Sequence, residues 1–82
     1  MQYGKAPSFG ELLKTFRKQR HIRQQQLADL LDVHRNTIGA WERGDRLPAT
    51  RGLVLEVARC LRLEQQETTR LLEASLTAVL TY

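Results

Sequence analysis

The segment QQQLADLLDVHRNTIGAWERG, from Gln24 to Gly44, decides how this chain folds. Leu27, Leu30 and Leu31 recur at helical spacing, so a short helix is expected to open at Gln24, with Val33 as the turn residue behind it. Ile38 and Trp41 mark a further helix, about Arg35 to Arg43. Gly44 closes it, because glycine accepts the left-handed conformation that ends many helices. So short a connection sets the second helix across the first at a steep angle. Their contact is expected to bury Leu27, Ala28, Leu31, Val33, Ile38 and Trp41, small Ala28 allowing close approach. The other face of the second helix then stays open, and it carries Arg35, Asn36, Gly39, Ala40 and Arg43.

Upstream, Pro7-Ser8 reads as a helix entry, with Ser8 as N-cap and Glu11 completing a capping box. Phe9, Leu12, Leu13 and Phe16 repeat opposite Lys14, Arg17 and Lys18, so a first helix is predicted from about Phe9 to Arg20. Downstream, Pro48 keeps the stretch from Asp45 to Ala49 out of a helix, and Thr50 is a fair N-cap for a fourth. Val54, Val57, Ala58 and Leu61 mark that helix. Leu71, Leu72, Ser75, Leu76 and Val79 mark a fifth over about 64–80, with Glu64 and Glu67 near its positive end. No strand pattern, internal repeat or low-complexity tract competes. The fold class expected is all-α, one domain of five helices over 1–82.

Eighty-two residues suffice for one hydrophobic core and not for two. No apolar run approaches the roughly 20 residues that span a bilayer, and the start has no signal-peptide core, so no membrane partner and a cytoplasmic location are expected. The lone Cys60 has no Cys or His at metal-ligand spacing and reads as a small core residue. Neither a metal nor a cofactor is implied. His21 and His34 have no partners for nucleophilic or metal chemistry, and Glu11, Asp29 and Glu42 form no acid/base pair. No enzyme chemistry is visible. The net charge of +4 favours a polyanionic partner, and its distribution is more telling. Through Arg51 there are 10 Lys/Arg against 5 Asp/Glu, whereas residues 52–82 hold 3 Arg against 4 Glu. The basic part is the part that holds the Gln24–Gly44 segment, as a phosphate-facing surface requires.

That segment resembles the Cro and lambda-repressor type helix-turn-helix family, also called the xenobiotic response element type. The shared pattern is a Gln opening the second helix, then Leu27-Ala28, Leu31, Val33, Thr37-Ile38 and the closing Trp41-Glu42-Arg43-Gly44. The likeness extends through the first and fourth helices to about Leu63, and the fifth matches only the general plan. The resemblance implies a lambda-repressor-like fold and a bacterial transcriptional regulator that binds specific double-stranded DNA. It implies that Gln24 hydrogen-bonds a backbone phosphate, and that Arg35 and Asn36 reach base edges from the first exposed turn of the recognition helix. Arg suits guanine O6 and N7, and Asn suits adenine N6 and N7. Gly39 and Ala40 fall at further base-contact positions, where relatives often carry longer polar side chains; Ala40 suits a thymine methyl. Arg43 falls at a phosphate-contact position, with Arg23, His34 and Arg46 as weaker phosphate candidates. Arg17 and Glu42 match a structural ion pair between the first helix and the end of the third.

Departures from the pattern are specific. His34 stands where Ser or Thr usually caps the recognition helix. Asp32 replaces the usual turn glycine, where positive φ is expected. One extra residue separates Pro48 from the fourth helix. Leu12, Leu30, Leu80 and Tyr82 exceed the family's apolar set, so something is expected to cover them: the fifth helix folding back across the first and second, a partner subunit, or a longer chain. Trp41, Ile38 and Leu27 read as core, which rules out the tryptophan as a stacking platform for single strands. The leading functional expectation is DNA binding as a homodimer on a pseudo-palindrome. One alternative is an amino-terminal module of a larger signalling NTPase-type regulator, with further C-terminal domains. The other is the antitoxin of a toxin–antitoxin pair.

Overall fold

The computed structural model describes residues 6–80, the side chains of 77–80 excepted. Within that span the chain forms α1 (Phe9–Gln19), α2 (Gln24–Leu31), α3 (Arg35–Arg43), α4 (Arg51–Cys60) and α5 (Gln65–Leu80). The described residues contain no strand. The all-α architecture is therefore as expected, with α1 ending one residue early on Arg20 as its C-cap.

Side chains make the helix entries, because the first N–H groups of a helix have no carbonyl within it. Ser8 Oγ accepts from the Glu11 N–H at 3.2 Å while Glu11 Oε1 accepts from the Ser8 N–H at 2.8 Å, completing the capping box. Thr50 Oγ1 accepts from the Leu53 N–H at 3.0 Å ahead of α4. Gln26 and Glu67 reach back in the same way, to the N–H groups of Arg23 and Glu64.

The exits of α1 to α4 share one design, a left-handed residue followed by a bond from the next N–H back to a carbonyl of the last turn. Ile22 N–H donates to Arg17 O at 3.1 Å, Val33 to Ala28 at 3.0 Å, Asp45 to Ala40 at 2.9 Å and Leu63 to Ala58 at 3.0 Å. Glycine supplies the left-handed residue only at Gly44; His21, Asp32 and Arg62 do so at φ of 58°, 59° and 54°. Three of the residues after the reversal, Ile22, Val33 and Leu63, fold back onto the core.

That core runs through all five helices: Phe9, Leu12, Leu13 and Phe16 from α1, Leu27 and Ala28 from α2, Ile38 and Trp41 from α3, Val54 and Val57 from α4, and Leu71 from α5. α1 and α2 both pack on α3, and α4 bridges α2 to α5. α1 approaches α3 at Gly10, where a β-carbon would run into the carbonyl oxygens of Trp41 and Glu42. Cys60 is half-buried at the end of α4, and burial pushes its thiol up against the smaller opposing pull of Arg59.

α5 covers less than expected. It packs on α4 and α1, and α2 is not among its principal neighbours. Leu12 is accordingly buried, whereas Leu30 on α2 stays 60% exposed. The physical reason is position: the helix that packs on α2 here is α4, and α5 packs in turn on α4 and α1. The side chain of Leu80, and Tyr82 as a whole, lie outside the described residues.

Candidate nucleic-acid interface

The turn between α2 and α3 sets the pose of the open helix. Asp32 takes the left-handed conformation, φ 59° and ψ 45°, and His34 is extended at φ −75° and ψ 146°. The missing Ser or Thr cap is replaced by imidazole: His34 Nδ1 accepts from the Asn36 N–H at 3.0 Å. A ring nitrogen that accepts carries no proton, so the ring's remaining donor is Nε2–H. The cap thus satisfies a helix N–H and selects the His34 tautomer together.

Behind α3, Leu27, Ala28, Ile38 and Trp41 are buried as expected, but Leu31 and Val33 are half-buried. They sit at the end of α2 and in the turn, at the rim of the contact. A polar network closes this inner side. Arg17 Nε lies 2.6 Å from Glu42 Oε2, its Nη2 donates to Glu42 Oε1 at 3.1 Å, and its Nη1 donates to the Ile22 carbonyl at 2.9 Å. Gln24 Nε2 also donates to Glu42 Oε1, at 2.9 Å. Glu42 therefore ties α1, the start of α2 and the end of α3 to one carboxylate. An amide nitrogen has two N–H donors, so Gln24 keeps one after serving Glu42.

On the outer side Arg35 and Asn36 are exposed in the first turn of α3, and Arg23, His34, Arg43 and Arg46 are exposed around it. Gly39 and Ala40, expected on this open surface, are buried. The reason lies in the neighbours. Arg43 folds back along the helix, so that a β-carbon at Gly39 would stand 3.1 Å from Arg43 Nη1. Ala40, with only a methyl, lies in a cleft of about 280 Å³ that Asn36, Thr37, Arg43, Asp45 and Arg46 also line.

The structure adds Gly10 and Asp45 to the residues the sequence singled out. Gly10 sets the distance between α1 and α3, and Asp45 Oδ2 accepts from Arg43 Nε at 3.0 Å. Asp45 offered a weak signal, a carboxylate just past the helix end. Gly10 offered none beyond being a glycine in the first turn of a helix, because the backbone it approaches lies over thirty residues away in sequence. Arg35 and Arg46 form no ion pair with the described residues. Arg43 does, which makes the surface less uniformly basic than the sequence suggests.

Among the described residues no three His, Cys, Asp or Glu side chains converge as a metal site would require, and no helix is long and apolar enough to cross a membrane. Residues 13–64 match a family described as helix-turn-helix. No curated protein matches the chain.

Proposed function

The chain belongs to the helix-turn-helix family of Cro and lambda-repressor type, a family of DNA-binding regulators, and from that premise we propose that it is a bacterial, cytoplasmic transcriptional regulator that reads a specific duplex sequence. The observation that carries this reading is the two-sidedness of α3. Its inner side is locked by Ile38, Trp41 and the Glu42 network, while its first turn presents Arg35 and Asn36 to solvent. A helix held rigidly on one side and free on the other fits the major groove, which admits an α-helix.

In this reading Arg35 pairs with guanine and Asn36 with adenine. Gln24 gives its second amide N–H to a phosphate, with the first held by Glu42. His34, through Nε2–H, and the exposed Arg23 and Arg46 flank the groove as phosphate contacts. Buried Gly39 and Ala40 add little to base reading. One copy therefore discriminates weakly, and two copies on half-sites about 34 Å apart supply the rest. Residues 1–82 act as one domain.

Selection from a random duplex pool, followed by anisotropy titration at about 50 mM salt, tests the reading. A selected duplex should bind, Arg35→Ala and Asn36→Ala should each weaken it by about 1–3 kcal/mol, and neither should change the fold. If the wild type enriches no sequence, the proposal fails. Leu30, 60% exposed on α2, favours a second reading, an interaction module of a larger signalling regulator. A folded chain that enriches no duplex would favour that one.

A further inference from the structure

We propose that Arg43 reads a base, guanine in the major groove, and that Asp45 positions it; this rests on the DNA-binding reading above. By sequence position Arg43 belongs at the end of α3, where a long basic side chain ordinarily grips the phosphate backbone. Its conformation is different. Helical side chains lean toward the N-terminus and lie over the turn before their own Cα, and Arg43 runs back over Gly39, four residues earlier. Apart from the helix backbone and the two adjoining residues, Nη1 is the one atom within 4 Å of where a Gly39 β-carbon would stand. The missing side chain at Gly39 is what makes room for the guanidinium. The second turn of α3, which Gly39 and Ala40 leave without functional groups of its own, thus receives one from below.

Asp45 fixes that group. Its N–H is bonded to Ala40 O at 2.9 Å in the reversal that ends α3, so its backbone is held by the helix it serves. Its Oδ2 takes the Arg43 Nε–H at 3.0 Å. With Nε engaged, the Nη1 and Nη2 donors remain for an acceptor pair, and a planar fork matches guanine O6 and N7. Asp45 also decides between phosphate and base. A carboxylate 3.0 Å from the guanidinium offsets its charge and repels a phosphate brought to the same place. A base edge carries no net charge, so its O6 and N7 acceptors meet a much weaker repulsion than a phosphate does, and they gain from the fixed geometry. The cleft beside the pair is walled by Asn36 and Thr37 and contains Ala40, so Arg43 and Asn36 face neighbouring positions of one groove.

Arg43 and Asp45 are 64% and 62% exposed as side chains, so substitutions there leave the core intact, which circular dichroism verifies. The experiment measures affinities for every single-base variant of the selected duplex, over a salt series, with wild type, Arg43→Ala and Asp45→Asn. One G·C pair should be preferred by wild type about ten- to a hundredfold. Arg43→Ala should erase that preference, leave the other positions ranked as before and keep the salt slope. Asp45→Asn should reduce the preference at the same pair. A uniform loss on all duplexes with a slope smaller by about 0.9 would make Arg43 a phosphate anchor and overturn the proposal alone. If wild type selects no duplex, the DNA-binding reading fails and this proposal fails with it.

Discussion

Arg17 and Glu42 meet across the α1–α3 contact with Nε 2.6 Å from Oε2, at side-chain exposures of 10% and 5%. A pair so enclosed contributes little over apolar residues of the same size, but losing one partner strands the other as a buried charge. Here the loss spreads, because Arg17 also holds the Ile22 carbonyl and Glu42 also holds Gln24. Glu42→Ala should cost about 3–5 kcal/mol, a large part of the stability of so small a domain. Chemical denaturation of both single variants and of Arg17→Met with Glu42→Leu provides the check. The double variant should recover most of the loss; strict additivity would show that the two side chains are not coupled.

The two helical glycines of α1 and α3 should respond to alanine with opposite sign. At Gly10 the new methyl meets backbone carbonyls of α3, which cannot step aside, so Gly10→Ala should destabilise by about 1–3 kcal/mol. At Gly39 it meets only the end of the Arg43 side chain, which can rotate, and the helix gains up to about 1 kcal/mol of propensity. Thermal melts that rank both variants below wild type would contradict this account of Gly39.

His21 and Arg62 hold left-handed conformations that glycine adopts without steric cost. His21→Gly and Arg62→Gly should each raise stability by about 0.5–1 kcal/mol, and Gly44→Ala should lower it by about 1 kcal/mol. The urea midpoints of the three variants decide the point, and a fall for both glycine substitutions would mean that the native side chains contribute more than their strain costs.

Acid should loosen α5 first. Arg20 donates to Glu67 at 2.7 and 3.2 Å, and this guanidinium, helped by the Glu64 N–H, holds the Glu67 carboxyl below its ordinary value of 4.5. A carboxylate whose value falls on folding stabilises the fold at pH above 4.5, and the contribution disappears as pH drops through the lower folded value. The melting-temperature gap between wild type and Glu67→Gln should therefore be open at pH 6 and closed near pH 2. A gap that stays constant would show that the Arg20 contact is not the source.

What was legible in the sequence was local or repeated. Ser8 and Glu11, or Thr50 ahead of Leu53, form caps from residues three apart, and the apolar spacing of Leu27, Leu31, Ile38 and Trp41 marks a helix pair whatever follows. The Arg17–Glu42 link was legible too, through the family pattern. What escaped was mutual placement. Leu30 repeats in phase with Leu27 and looks equally apolar, yet one is exposed and the other has none of its surface left, because only packing decides how wide a helix's buried stripe is. Gly10 looked incidental because its partner backbone is remote in sequence.

The same division runs through α3. The amino-acid sequence by itself determined that α3 exists, where Gly44 ends it, and that Arg35 and Asn36 open its free face, since these follow from spacing and from a glycine's freedom at positive φ. Only the tertiary structure decided that Gly39 and Ala40 are buried, that Arg43 lies back over Gly39, and that Asp45 holds it there. Those are properties of side chains choosing among rotamers in a space that neighbouring turns enclose, and no periodicity in one dimension encodes that choice.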